Sequence, residues 1–220
     1  MSPSKIEIPS SGVGYEFPPI PVGWLKRDLL VYSNSIGVRH DELQFLYELH
    51  PDFQAFPSYP VILSRWLHLQ IGSMWLLTIS KGFKEADQDV IPFISRPSPA
   101  PVPGGPPLDP ASFVDGERHI RILKKIPTSA VKGQFELRNK CLDIQDKGKP
   151  GTVLIMQHQL VEKATNEVYA EVQCSTFAVG QGNWGGPRGP RAVPYAPPAG
   201  ASPTATVTTT TSLQQALLYR

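Results

Sequence analysis

Apolar positions recur at helical spacing in the first third of the chain. Between Leu25 and Ile36 they fall on one stripe, and Gly37 offers a stop, so the pattern predicts a helix. The run Val61–Ile71 predicts a second, strongly apolar helix. Between the two helices, Leu43–Glu48 places apolar residues at alternate positions, and this alternation predicts a short strand.

The second half of the chain changes to the period-2 alternation of strands. Polar turns rich in Gly and Asn, at residues 146–151 and 163–166, separate the last three strands, which should therefore be consecutive and antiparallel. Helices followed by a meander of long strands predict an α+β domain in which a curved sheet wraps a helix. The predicted strands are His119–Ile126, Gln134–Ile144, Gly151–Gln159 and Val168–Val179.

Proline interrupts these patterns in two places. Of the 24 prolines, eight lie in residues 92–110 and six in residues 187–203. The first segment is too poor in amide donors for helix or sheet, so we expect an extended, solvated insertion. A ligand for a polyproline-recognition domain is the alternative, because Pro-x-x-Pro spacing occurs there.

The 220 residues are long enough for one domain with flanking segments. We expect residues 1–14 to be a flexible tail that leads into an extended arm around Tyr15 and Phe17. Residues 15–186 should form the domain, with the Pro-rich insertion at 92–112. Residues 187–211 should be a linker, and residues 212–220 the start of a helix with Ser212 as its N-cap.

Charge and cysteine content narrow the class of protein. A net charge of +2 is far from the basic surface that nucleic acid requires, so we expect no nucleic-acid partner. Two cysteines and no apolar leader favour an intracellular protein. The most apolar window, Val61–Ser80, contains Arg65 and His68 and should not span a membrane; a buried helix is the expectation and a peripheral membrane contact the alternative.

Candidate chemistry is sparse in the residues themselves. No His or Cys pair has zinc-ligand spacing, and no phosphate loop or nucleophile elbow is present, so we expect no metal and no cofactor. Cys141 and Cys174 fall on predicted neighbouring strands and should be buried apolar residues, with a disulfide or a reactive thiol as alternatives. The five histidines are scattered, and His119 alone has suggestive neighbours, Asp115–Glu117.

Six stretches of the sequence resemble one known family. They are the segment Arg27–Gly37, the runs Leu43–Glu48 and Phe53–Pro60, the motif Asp115-Gly-Glu-Arg118, the turn Asp146-Lys-Gly148 and the Gly-rich stretch Phe177–Arg188. Together they look like parts of the MaoC-type (R)-specific 2-enoyl-CoA hydratases, which include hydratase 2 of the peroxisomal multifunctional enzyme. The resemblance covers about residues 25–91 and 113–188.

The resemblance implies a hot-dog fold, equivalent to the N-terminal half of a double hot dog. It also implies that this half holds an acyl-chain tunnel and part of the thioester-CoA site. By position, Asp115 and Gly116 match a substrate-contacting His-Gly of the family, and Lys147 matches a lysine that would face the phosphates of CoA. Asp115 departs from the family histidine, and a carboxylate is unfavourable beside an anionic ligand. Asp115 and Lys147 as ordinary turn residues are the alternative.

The family's catalytic motif, Leu-Ser-Gly-Asp-x-Asn-Pro-Leu-His, is absent from these residues, although a stretch similar to the helix that precedes it, Gln215–Arg220, is present. We therefore assign no catalytic residue and expect this chain to be inactive unless a second half is supplied. Three hypotheses remain: a hydratase/dehydratase relative that acts on an acyl-CoA or related thioester, a non-catalytic thioester-binding or interaction module, and a tailoring dehydratase of a biosynthetic pathway.

Two further expectations follow from the resemblance. The chain should form a homodimer or pair with a second hot-dog domain, because a single sheet leaves an edge uncovered. Family membership also implies a peroxisomal location, but the chain ends in Leu-Tyr-Arg and not in a Ser-Lys-Leu signal, so a cytoplasmic location is the alternative.

Overall fold

The computed structural model describes residues 11–63, 101–191 and 196–214. These residues form one antiparallel five-stranded sheet with short helices, which confirms the α+β class. In chain order the elements are β1 (Glu16–Trp24), α1 (Lys26–Ser35), α2 (Leu43–Leu46), a 3₁₀ turn (Pro110–Ser112), β2 (Phe113–Ile122), β3 (Ala130–Asp146), β4 (Gly151–Glu162) and β5 (Glu167–Val179). The spatial order of the strands is β1-β3-β4-β5-β2.

The two predicted hairpins are confirmed, since β3 pairs with β4 and β4 with β5, both antiparallel. Gly148 and Asn166 take the positive φ angles, 77° and 60°, that their turns require. The first predicted strand is displaced, because β2 begins at Phe113 and ends at Ile122. A bulge at Gly116 breaks the alternation there, and this hides the start of the strand from a period-2 reading.

One face of the sheet, called the inner face below, carries the hydrophobic core. Leu137, Leu160 and Ala170 face each other across β3, β4 and β5. Leu29 and Tyr32 of α1 pack against them together with aromatic residues from the segment that follows α2. On the opposite, outer face, β3 carries charged residues such as Glu136, Arg138 and Lys140. On β4 the outward residues are mixed, with Gln157 and Gln159 between Ile155 and Val161.

The predicted helix α1 is confirmed, and its ends follow the sequence. The Asp28 carboxylate accepts a hydrogen bond from the Leu25 amide at 2.8 Å, which satisfies a donor at the N-terminus. At the other end, Gly37 adopts φ 74°, a conformation that glycine adopts without steric cost, and the chain leaves the helix there.

The strand predicted at Leu43–Glu48 is wrong: residues 43–46 form the helical turn α2. Leu46 is apolar as well, so the alternation in this run is incomplete. The Tyr47 amide donates to the Leu43 carbonyl at 2.9 Å, and the Phe45 ring packs against Phe56 with ring centroids 5.0 Å apart. Local backbone bonds thus replace strand pairing.

The extended arm around Phe17 is part of a paired strand. β1 pairs with β3 from Glu16 to Trp24, although it contains Pro18, Pro19 and Pro21. Proline lacks the amide donor of a ladder and is tolerated at a sheet edge, which is where β1 lies. The pairing is irregular between Phe17 and Ile20, across the first two prolines.

Several predicted segments lie wholly or partly outside the described residues. Of the predicted helix Val61–Ile71, residues 61–63 are helical and the rest are not described. Most of the window Val61–Ser80, the first part of the Pro-rich insertion and the end of the predicted terminal helix also lie outside the described residues. Within the described ranges, no helix is both long and apolar enough to cross a bilayer.

Candidate functional site

A row of soft side chains crosses the middle of the inner face. Cys141 of β3, Met156 of β4 and Cys174 of β5 lie opposite one another in register, and Arg118 of β2 completes the row at the sheet edge. Both cysteines are buried and Met156 is half-buried. Val61 packs against Cys174 and against Val172, the preceding inward residue of β5. Methionine and cysteine are polarisable and fill irregular spaces, so this row suits contact with a flexible apolar ligand.

A buried polar pair lies one row from these side chains. His158 and Asn139 face each other across β4 and β3, with the imidazole Nδ1 2.7 Å from the amide Oδ1. The Asn139 amide nitrogen donates to the Leu137 carbonyl, so its oxygen is the acceptor that Nδ1–H meets. The amide partner fixes the tautomer and the orientation of the ring.

Asp115 and Gly116 lie at the bulge of the edge strand β2, on the same side of the sheet as Arg118. The Arg118 guanidinium donates to both carboxylate oxygens of Asp115, at 2.7 and 2.9 Å, and to the Cys174 sulfur at 3.1 Å. Gly116 approaches the neighbouring strand so closely that a Cβ there would lie 3.0 Å from the Ser175 carbonyl oxygen. The negative charge of Asp115 is therefore offset by the Arg118 guanidinium, whose Nη2 donates to both carboxylate oxygens.

The Asp146 side chain, at the end of β3, organises the Gly-rich stretch that follows β5. One carboxylate oxygen accepts hydrogen bonds from the amides of Gly148 and Asn183, and the other accepts one from Gly185, all at 2.8 Å. Desolvation raises the pKa of this carboxyl, but the backbone amides, including that of Gly186, outweigh it, so the pKa lies below its ordinary value.

This shift predicts the acid stability of the fold. The pKa of Asp146 in the folded protein lies below its value in the unfolded chain, which is about 3.9. Above that pH the ionised carboxylate contributes fully to the free energy of unfolding, and this contribution is lost as the pH falls through the folded pKa. We expect Asp146→Asn to lower the free energy of unfolding at neutral pH, with a difference from the unchanged protein that shrinks below about pH 4. Urea titrations at several pH values measure this; a constant difference would contradict it.

Lys147 continues the same arrangement. Its ammonium donates to the carbonyls of Arg188 and Pro190, at 2.7 and 3.5 Å. Nearby, the Trp184 indole donates to the Thr152 hydroxyl at 2.8 Å. The start of the predicted linker is thus held against the β3–β4 turn by specific bonds, while residues 196–211 are exposed and without regular structure.

The structure does not bring the three sequence-predicted residues together. Asp115 and Gly116 are adjacent on β2, but β5 and β4 lie between β2 and β3, after which Lys147 follows. Three strand spacings separate them by roughly 14 Å across the sheet. Asp115 and Lys147 therefore belong to two different parts of the molecule.

The two cysteines do not form a bridge. Both are free, and their strands, predicted to be neighbours, are separated by β4, which corrects that expectation. Two strand spacings, about 10 Å, exceed the reach of a disulfide. Burial raises the pKa of the Cys141 thiol to about 11 and also raises that of Cys174, so both thiols are protonated at neutral pH.

Comparison with known proteins identifies the family. Residues 24–82 and 90–180 match the family described as the MFE-2 hydratase 2 N-terminal domain. The chain belongs to this family. "Probable dehydratase NIT22" of Ajellomyces capsulatus is 37% identical over 219 residues, covering 97% of this chain and 53% of that protein. "Probable enoyl-CoA hydratase 2" of Dictyostelium discoideum is 31% identical over 208 residues, covering 94% and 60%. The chain thus spans just over half the length of these relatives.

Solved structures place this hydratase-2 domain among MaoC-like proteins. A MaoC-like dehydratase from Phytophthora capsici superposes with a TM-score of 0.64 at 29% identity, over 92% of this chain and 60% of that one. Full-length peroxisomal multifunctional enzyme type 2 from Drosophila melanogaster has the same fold, with a TM-score of 0.58 at 24% identity over 92% and 30%. The predicted hot-dog fold and membership of the hydratase/dehydratase family are confirmed.

Sequence reasoning missed three residues of this MaoC-like site. Arg118 stood in a quoted motif, but its role as the partner of Asp115 and Cys174 was not foreseen. Asn139 and His158 gave a usable signal, because the inward residues next to them on each strand, such as Leu137 and Leu160, are apolar. A polar side chain in such a position requires a partner, and each supplies one for the other.

Proposed function

We propose that this chain is the acyl-binding half of a hydratase that reversibly adds water to a 2-enoyl thioester, with an acyl-CoA or related thioester as substrate. The observation that carries the proposal is the row Cys141–Met156–Cys174 on the inner face of a family member. Its side chains are apolar, adaptable and partly accessible at Met156, as an acyl chain requires. The relative named probable dehydratase supports dehydratase chemistry. A tailoring dehydratase of a biosynthetic pathway is a variant of the same proposal.

Hydration of the double bond needs groups that the described inner face lacks in suitable form. A base must activate water, and an acid must deliver a proton, while donors hold charge on the thioester oxygen. At its Nδ1, His158 has the Asn139 amide and not a carboxylate, and the family's catalytic motif is absent from the sequence. We propose that a second hot-dog domain of different sequence supplies the acid and base, since a homodimer of this chain would pair two sheets without adding the missing motif.

The sheet edges suggest where such a partner pairs. Both β1 and β2 are edge strands. β1 carries three prolines and so has few amide donors, whereas β2 contains no proline and keeps its amide donors. Edges with free donors and acceptors are the ones that another strand joins. We propose that the partner domain pairs through β2.

By relation to the peroxisomal multifunctional enzymes, we also propose a peroxisomal location.

An activity assay tests the division of labour. We expect the 220-residue chain alone to leave crotonyl-CoA unhydrated, because no carboxylate–imidazole pair of the family motif is present in its sequence. The measurement is the rate of loss of the enoyl thioester compared with a protein-free blank. Turnover above the blank, sustained in proportion to protein concentration, would contradict the proposal.

A non-catalytic acyl-thioester-binding or interaction module is the second candidate. The sequence supports it in one respect, because the catalytic motif of the resembled family is absent from these 220 residues. The two candidates differ when a catalytic hot-dog domain is added to the assay. Restored hydration indicates the hydratase half, and binding without restoration indicates the module.

Asp115, Gly116 and Lys147 are proposed to contact the substrate, with Lys147 facing the CoA phosphates as a point charge. We expect Lys147→Met to weaken free CoA and octanoyl-CoA alike, by about two- to fivefold, as for a partly exposed ion pair of ~0.5–1 kcal/mol. Lys149→Met, in the same turn but exposed, is the matched control and should change neither. Calorimetry measures the affinities of both variants for the two ligands. Equal effects of the two substitutions would contradict a specific contact between Lys147 and CoA.

A further inference from the structure

Two chain segments cover one end of the inner face. Beyond the row of Cys141, Met156 and Cys174, the inward side chains Ile144 and Leu154 lie opposite each other. Together with Cys141 they form a buried cluster, and Val13 from the N-terminal segment and Val102 from the Pro-rich insertion pack against this cluster. The described part of the insertion, residues 101–112, is therefore not fully solvated as its composition predicts, since Val102 packs on this cluster while Pro101, Gly104 and Pro107 are exposed.

The two covering segments are in close contact. Gly12 has φ 73°, and a Cβ at that position would lie 2.9 Å from both the Val102 Cγ1 and the Gly105 amide nitrogen. A Cβ on Gly105 would in turn lie 3.0 Å from the Ile144 Cδ1. Glycine at both positions permits this approach. The segments and the sheet thus form three packed layers with no space for a side chain between them at these points.

Backbone bonds anchor the N-terminal segment of this cover to the sheet. The Gly14 amide donates to the Cys141 carbonyl at 2.8 Å, and the Cys141 amide donates to the Tyr15 carbonyl at 2.9 Å. Cys141 belongs to the row proposed to contact the acyl chain. The cover therefore begins directly beside that row.

Gln181 fastens the Pro-rich segment from the other side. Its side-chain oxygen accepts from the Asp109 amide at 2.6 Å, and its side-chain nitrogen donates to the Asp109 carbonyl at 2.9 Å and to the Ser112 hydroxyl. The Gln181 carbonyl accepts from the Thr152 hydroxyl at 2.5 Å. One side chain thus satisfies both backbone groups of the residue before the 3₁₀ turn and ties the insertion to β4.

Between the insertion and the sheet lies a small apolar recess, lined among others by Val102, Leu108, Phe113, Ile144 and Leu154. Leu154 is two residues from Met156 on the same face of β4, so this wall of the recess lies about 7 Å along the strand from the row. An acyl chain that lies on the row and points to this end meets the recess and then the packed cover.

We propose that the segment 101–110, held by Gln181, closes this end of the inner face and sets the longest acyl chain that the protein accepts. The inference rests on the proposed function, because it presupposes an acyl chain on the row. Val102 and Leu108 of the insertion and Leu154 of the sheet are then specificity-determining positions.

A chain-length series tests the proposal with the full chain. Calorimetry gives the affinity for saturated acyl-CoAs from butyryl to tetradecanoyl. We expect binding to tighten by about fourfold for each methylene that the recess buries, and to stop tightening at a limiting length. Val102→Ala enlarges the recess and should move that limit up by about one or two methylenes. Leu154→Phe fills it and should move the limit down.

Val114→Ala is the matched control, because it makes the same change on β2 at an exposed position of the outer face and should leave the limit unchanged. A limit that stays fixed in Val102→Ala and Leu154→Phe, or affinity that rises without limit, would overturn the role of the insertion and leave the proposed function standing. Affinity independent of acyl length would overturn the proposed function, and the closure with it.

Discussion

Replacing Phe135 with alanine should lower the free energy of unfolding by about 3–5 kcal/mol, the largest stability effect that we expect from one side chain. The ring is fully buried in the main core, with centroid distances of 5.2 Å to Trp24 and 5.0 Å to Tyr169. Its removal leaves a cavity where β1, β3 and β5 contribute aromatic rings, and these rings cannot close it without leaving their strands.

The same strand provides the control for this measurement. Val131 is 78% exposed, so Val131→Ala should change the free energy of unfolding by less than about 0.5 kcal/mol. Urea denaturation followed by circular dichroism compares the two variants with the unchanged chain. If Phe135→Ala costs no more than Val131→Ala, the core does not lie where the structure places it.

Placing a lysine at Met156 should abolish most of the binding of an acyl chain. Met156 lies half-buried between Cys141 and Cys174, and a bound chain would have to take the new ammonium out of water or forgo the contact. We expect the affinity for octanoyl-CoA to fall by about tenfold or more, whereas the affinity for free CoA should stay within about twofold. Calorimetry with both ligands measures the difference.

Gln157→Lys is the control, because Gln157 is the next residue of β4 and points to the outer face. It adds the same charge to the same strand, so a loss of affinity caused by charge alone would appear in both variants. Equal losses in Met156→Lys and Gln157→Lys, or no loss in either, would show that the inner face does not hold the acyl chain.

Local patterns predicted most of the fold. The three long strands and their hairpins follow from period-2 alternation and from turn residues such as Gly148 and Asn166, whose requirements are met within a few residues. The helix α1 follows from its stripe and from Gly37. The run 43–48 was wrongly predicted to be a strand because six residues with four apolar side chains fit both the period of a strand and that of a helix. The packing of Phe45 on Phe56 decides between the two.

Contacts between residues far apart in the chain determine the features of the site that could not be predicted from the sequence. The bond from Arg118 to Cys174 joins residues 56 positions apart, and those from Lys147 to the Gly-rich stretch join residues more than 40 apart. The motif Asp115-Gly116 was recognised by resemblance, but a bulge places it on an edge strand and not in a turn. The packing of the Pro-rich insertion against Ile144 likewise depends on glycines whose neighbours are distant in the chain.

The central claim is that the inner face of this MaoC-like domain binds the acyl chain of a thioester. Titration of the unchanged 220-residue chain with octanoyl-CoA and with free CoA, under the same conditions, tests it most directly. We predict that octanoyl-CoA binds tighter than CoA by about tenfold or more, since burial of several methylenes contributes about 0.8 kcal/mol each. Equal affinities for the two ligands, or no binding of either, would contradict the claim.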